Sequence, residues 1–161
     1  MRFLAIVILF VLAPMSIADT WRTDPITPMD ERYMENSRKA LNDLARIELG
    51  RSFGESREND LRLIQTLLDR KLVKGDETAL LQGMGIILGD HLRKDHNLKW
   101  VIYIDRVGRS RALEVPLKDE AIFPVTQISS RAAVGGKIDV TAIYTRLEAE
   151  IARAKKKIIV R

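Results

Sequence analysis

Residues 79 to 105, ALLQGMGIILGDHLRKDHNLKWVIYID, constrain the fold of this chain more than any other stretch. Leu80, Leu81, Met84, Ile87, Leu88 and Leu92 recur at steps of three and four, the spacing that lines one side of an α-helix. A polar link follows, and then Trp100 to Ile104, apolar on both faces as in an interior strand. Three glycines interrupt the helical pattern, at positions 83, 85 and 89. Each interior glycine costs about 1 kcal/mol relative to alanine. Three in one helix therefore predict a bare surface against which a neighbouring helix or strand packs closely. A phosphate cradle would need a preceding strand and a Gly-x-Gly-x-x-Gly or Gly-Lys-Ser/Thr pattern, and the stretch has neither.

The chain has 161 residues, enough for one domain with a real core. Its first segment reads differently from the rest. Arg2 precedes an unbroken apolar run, then Pro14, then small residues at Ser16 and Ala18. This is the layout of a signal peptide over residues 1 to 18, cleaved between Ala18 and Asp19. The uncharged run is shorter than the roughly 20 residues that cross a bilayer comfortably, so a retained anchor is the lesser reading. Removal of residues 1 to 18 takes away Arg2 alone among charged groups, and the formal balance falls from +5 to +4. No basic run is interleaved with aromatics, so nucleic acid is not an expected partner. Cysteine is absent, which removes thiol catalysis, disulfides and cysteine-ligated metals. The expected location is periplasmic or secreted.

Along the chain, residues 19 to 27 read as an irregular lead-in, because Asp24 and Thr27 each precede proline. Thr27, Pro28 and Asp30 open a helix that runs to about Leu49 and stops at Gly50, with Tyr33, Ser37, Ala40, Leu41, Leu44 and Ile47 or Glu48 along one moderately apolar face. A second helix is predicted from about Glu58 to Val73, with Gly75 ending it and Asp76 capping the glycine-notched helix. After Trp100 to Ile104, residues 105 to 108 turn the chain and residues 109 to 115 return as a second strand. Residues 120 to 128 are expected as a third strand, at an edge because of Pro124. Asp139 caps a last helix whose inner face is Val140, Ile143, Tyr144, Leu147, Ile151 and Ala154; Ile158 to Val160 follow as a short strand or docking tail. The expected class is α+β: two to three N-terminal helices on a small antiparallel sheet, with a C-terminal helix. Residues 19 to 57 form the lead-in and outer helix and residues 58 to 161 the compact part, with 19 to 161 expected as one domain.

In order, Leu81, Gly85, Leu88, Gly89, Asp90 and Leu92, then Leu98, Trp100 and Val101, then Asp105, Gly108 and Arg109, then Phe123, Pro124, Val125 and Ile128 ahead of Arg131, and finally Ile138, Asp139, Val140 and Tyr144 form a pattern. This pattern resembles the bacterial domain of unknown function 3806 over about residues 78 to 147. The resemblance implies a bacterial origin and an α+β domain, with Gly85, Gly89, Trp100 and Pro124 as structural residues. It implies no activity. Ser130 departs from it, since the resemblance leads one to expect a basic residue before Arg131; an anion site built on that pair would be weaker here.

Chemistry-bearing constellations are few. His91 and His96 lie five apart, about 140° around a helix, and cannot form a paired zinc face. Local ion pairs are expected instead, Asp90 with Lys94 and His91 with Asp95. No metal or cofactor is implied. Ser129, Ser130 and Arg131 lack a nucleophile elbow. Asp105 reads as a turn former. The one candidate site is cationic: Arg106, Arg109 and Arg111 cluster on the turn and second strand, and Arg131 joins them if the third segment pairs alongside.

These observations lead one to expect a secreted or periplasmic binding module whose partner is another envelope protein, with an inhibitor or immunity type among its forms. The competing expectation is a hydrolase or transferase acting on an anionic envelope substrate through Asp105, Arg109 and Arg131. Lys155 to Lys157 would add at most weak peripheral membrane contact, each charge contributing about 1 kcal/mol near an anionic surface.

Overall fold

The computed structural model describes residues 21–118 and 120–156. The signal segment with Ala18 and Asp19, and the tail with Lys157 and Ile158, lie outside the described residues. The chain runs β1 (Arg22–Pro25), α1 (Pro28–Leu49), α2 (Arg57–Asp69), α3 (Thr78–His96), β2 (Lys99–Ile104), β3 (Arg109–Glu114), β4 (Ala121–Ile122), α4 (Gln127–Ala133) and α5 (Val140–Lys156). The strands form one antiparallel sheet in the order β1-β2-β3-β4. The fold is α+β.

α3 sits in the middle because it can be approached from several sides. Leu81, Met84, Ile86, Ile87, Leu88 and Leu92 are all buried. Its glycines face different neighbours. A Cβ on Gly83 would lie 2.9 Å from Cδ1 of Leu41 on α1. On Gly85 it would lie 2.6 Å from the Pro124 carbonyl oxygen, with the Val125 oxygen also inside contact range; on Gly89 it would collide with the Trp100 ring and lie 2.8 Å from Cγ of Pro124. The helix closes at Asn97, whose left-handed φ of 54° turns the chain into β2.

α1 begins and ends as its sequence dictates. The Thr27 hydroxyl accepts the Asp30 N–H at 3.2 Å, and Gly50 at φ 62° returns its N–H to the last carbonyls. Its buried stripe is Met34, Leu41 and Ala45, however, while Ala40 and Ile47 face solvent. The stripe is turned from the expected face, with Leu41, which packs on Gly83 of α3, common to both.

Four further expectations are corrected. The lead-in is an edge strand, β1, paired with β2 from Arg22 to Pro25; an edge tolerates a proline with no N–H to give. α2 stops at Asp69, short of Val73. Lys71 takes a left-handed φ of 55°, its N–H bonds Leu68 O and the Leu72 N–H bonds Leu67 O, a closure in which lysine holds the position usually given to glycine. Glu77, with no side-chain bond to the helix, stands where Asp76 was expected to cap α3. The third strand is only Ala121 and Ile122. The Pro124 carbonyl accepts the Gln127 N–H at 3.2 Å and starts the turn into α4, so Ser129, Ser130 and Arg131 are helical. The face of α5 is as read from its spacing, with all six residues buried. Among the described residues no helix is long and apolar enough to cross a membrane.

Candidate functional site

Two arginines of the cationic cluster are engaged from within by one carboxylate. Arg109 and Arg111 project from β3 toward α1, where both reach Asp30: Arg109 through paired N–H groups and Arg111 at 2.9 Å. Asp30 is 2% exposed. The hydrogen-bonded Arg109 guanidinium holds its carboxyl well below the usual carboxylate range, against the opposing pull of burial. Arg111 also stacks over the Tyr33 ring at 4.0 Å, and the Tyr33 hydroxyl donates to Gln82 on α3 at 2.7 Å. These arginines clamp α1 to the sheet.

The other members of the expected site lie elsewhere. Arg106 is in the β2–β3 turn, exposed. Asp105 accepts the N–H groups of Val107 and Gly108 at 2.8 and 3.0 Å, as a turn former does. Arg131 donates to the carbonyl of Gln127 on its own helix at 2.6 Å, and burial, aided by Arg146, lowers its pKa. Asp105, Arg109 and Arg131 therefore each have their own partners and share none.

The polar residues of α3 converge on a different place. Neither expected local pair forms. Asp90 receives two N–H bonds from Arg38 of α1, at 2.6 and 2.9 Å, and a third from Nε1 of Trp100 at 3.0 Å. His91 directs Nε2 at Asp60 of α2, 2.8 Å away. Asp60, 2% exposed, is also held by the Gly54 N–H and by Nδ2 of Asn59. Asp95 takes Arg57 at 3.0 Å and the Tyr144 hydroxyl at 3.1 Å, and burial, reinforced by Asp95, pushes the Tyr144 pKa up. His96 approaches Glu148 at 3.7 Å. The reason is common to all: bonds to fixed tertiary partners replace solvated helix pairs worth only about 0.2–0.5 kcal/mol.

Two cavities flank the Arg38–Asp90 bridge and share Glu35, Arg38 and Asp90. One, of about 710 Å³, is lined also by Ile26, Met34 and Trp100. The other, of about 490 Å³, is walled by Phe53 and Ile87 and carries the His91–Asp60 pair. Both fall in the size range of small-ligand sites. No serine, threonine or tyrosine lines the second cavity. Among the described residues no three histidine or acidic groups are placed to hold a metal ion. Only the aspartate-to-histidine spacing could have signalled this cleft, and 31 residues separate that pair.

A family model described as a domain of unknown function, DUF3806, matches residues 60–144, which include Asp60, Asp90, His91 and Trp100. No curated protein matches the sequence. A solved crystal structure from Bacteroides thetaiotaomicron VPI-5482 is similar, with a TM-score of 0.72 at 17% identity, over 83% of this chain and 49% of that one. This chain thus spans about half the length of that structure, and a likeness at such identity speaks to the fold alone.

Proposed function

This chain belongs to the DUF3806 family, and on that premise we propose that it is a non-enzymatic binding or interaction module of the bacterial envelope, exported by its N-terminal segment, that receives a ligand or a partner's side chain in the cleft between α1 and α3. The observation that carries this reading is the cleft itself: apolar walls and a preset frame of ionisable groups, Arg38 with Asp90 and His91 with Asp60, already joined to one another. Such a frame offers shape and fixed dipoles to a guest, which is what binding sites use. An inhibitor or immunity role, in which an envelope protein inserts a side chain here, fits the same geometry. The arginine-based hydrolase reading has no support from the placement of Asp105, Arg109 and Arg131.

Site-directed photo-crosslinking in cells tests the proposal. A crosslinking side chain at Lys39, on the rim of the cleft, is expected to form adducts with an envelope component, and one at the exposed Thr145 of α5 is not. Equal adducts at both positions, or none at Lys39, would remove the cleft from consideration.

A further inference from the structure

The sheet ends at β4, and among the described residues nothing pairs with the outer side of that strand. β3 covers its inner side alone, Leu113 standing opposite Ile122 and Glu114 opposite Ala121. Antiparallel pairs alternate between bonded and open. The Val115 N–H bonds the Glu120 oxygen at 3.1 Å, so Ala121, one step on, turns its N–H and C=O away from β3. No described residue meets either group. Ala121 and Ile122 form one wall of a groove of about 560 Å³, and Arg153, Ala154 and Lys156 of α5 form the other. Ile122 and Ala154 are both buried, where the groove meets the main core.

We propose that Ile158 to Val160 lie in this groove as a fifth strand on the open edge of β4, exchanging hydrogen bonds with Ala121 and resting on Ile122 and Ala154. The inference is independent of the cleft between α1 and α3. The last described residue of α5, Lys156, is itself part of the groove wall, and the sequence continues from it as Lys157, Ile158, Ile159, Val160 and Arg161. Three successive β-branched residues suit a pleated, half-buried surface. Extended, they span about 10 Å, enough to pass a strand of two residues. Attachment at Lys156 holds the run beside the edge, so it meets Ala121 at a far higher effective concentration than a segment of another molecule does. A strand laid there also removes a row of unpaired N–H and C=O groups from intermolecular pairing, the hazard of any open edge.

Amide hydrogen exchange followed by NMR tests the assignment, comparing the purified protein with a variant carrying Ile158→Gly, Ile159→Ser and Val160→Gly. The Ala121 amide is expected to exchange about tenfold more slowly in the wild type, the protection given by one hydrogen bond. The amide of Thr145, in the middle of α5, is expected to exchange alike in both proteins. Equal exchange at Ala121 in the two proteins overturns the proposal. Protection at Ala121 that grows with protein concentration overturns it too, since a second copy then occupies the edge. One measurement needs no variant: in the monomeric wild type a nuclear Overhauser contact is expected between backbone protons of Ala121 and of one of residues 158 to 160. Its absence removes the fifth strand.

Discussion

Asp30 shows how a single side chain can decide the fate of an apparent site. Its carboxylate turns a cluster of guanidinium groups that could have gripped an anion into an internal clamp. Asp30→Asn leaves Arg111 largely buried without a counter-charge, while Arg109, 47% exposed, can rehydrate. The expected loss is therefore at the lower end of the range for a broken buried pair, about 3 kcal/mol by urea unfolding. The clamp also carries a pH signature. The folded-state pKa of Asp30 lies below its unfolded value of about 3.9. Its contribution is thus fully present above about pH 4 and is lost as the pH falls further, toward the folded value. The urea midpoint of the wild type should drop below pH 4, and that of Asp30→Asn should lack this component.

The notched helix offers a graded test at the same scale. Gly85→Ala meets two backbone carbonyls that cannot yield, Gly89→Ala meets the Trp100 ring and Pro124, and Gly83→Ala meets mainly the tip of Leu41. Overpacking costs typically about 1–3 kcal/mol, and alanine returns up to about 1 kcal/mol of helix propensity. Thermal unfolding should rank the losses Gly85→Ala, then Gly89→Ala, with Gly83→Ala near neutral. Equal losses at all three would mean that the close approaches do not govern stability.

At the scale of elements, what depended on neighbours within one or two turns was legible beforehand. The bounds of α1 follow from Thr27, Pro28 and Gly50, and the buried face of α5 follows from its 3.6-residue period. Thr27→Ala should cost about 1–2 kcal/mol, because the hydroxyl that caps the helix is also bonded to the Asp30 carboxylate; a loss of only a few tenths would show that the clamp holds α1 without its cap. Errors arose where tertiary contact overrode the local signal. β1 looked irregular because of its proline, yet β2 supplied a partner for its edge. Residues 123 to 128 looked strand-like in their apolar content, yet Pro124 and Val125 lean on Gly85 and the chain leaves the sheet there. Lys71 carries no sequence mark of the left-handed turn it makes.

At the scale of the molecule, the sheet and the helices meet at α3, and the cleft exists only because α1 lies beside it. The export reading belongs to this scale too. Intact mass of the protein recovered from the periplasm or medium should correspond to a chain beginning at Asp19; recovery only as a full-length cytoplasmic chain would contradict it. By itself the sequence determined the α+β class, the apolar glycine-bearing helix and most element bounds, because periodicity and caps act over a few residues. Only the tertiary structure decided which charges meet. His91 with Asp60, Arg38 with Asp90 and Arg109 with Asp30 are 31, 52 and 79 positions apart. Each such pair prevails over a nearer, solvated one because burial strengthens a charged hydrogen bond and penalises an unpaired group, and burial is a property of the folded whole.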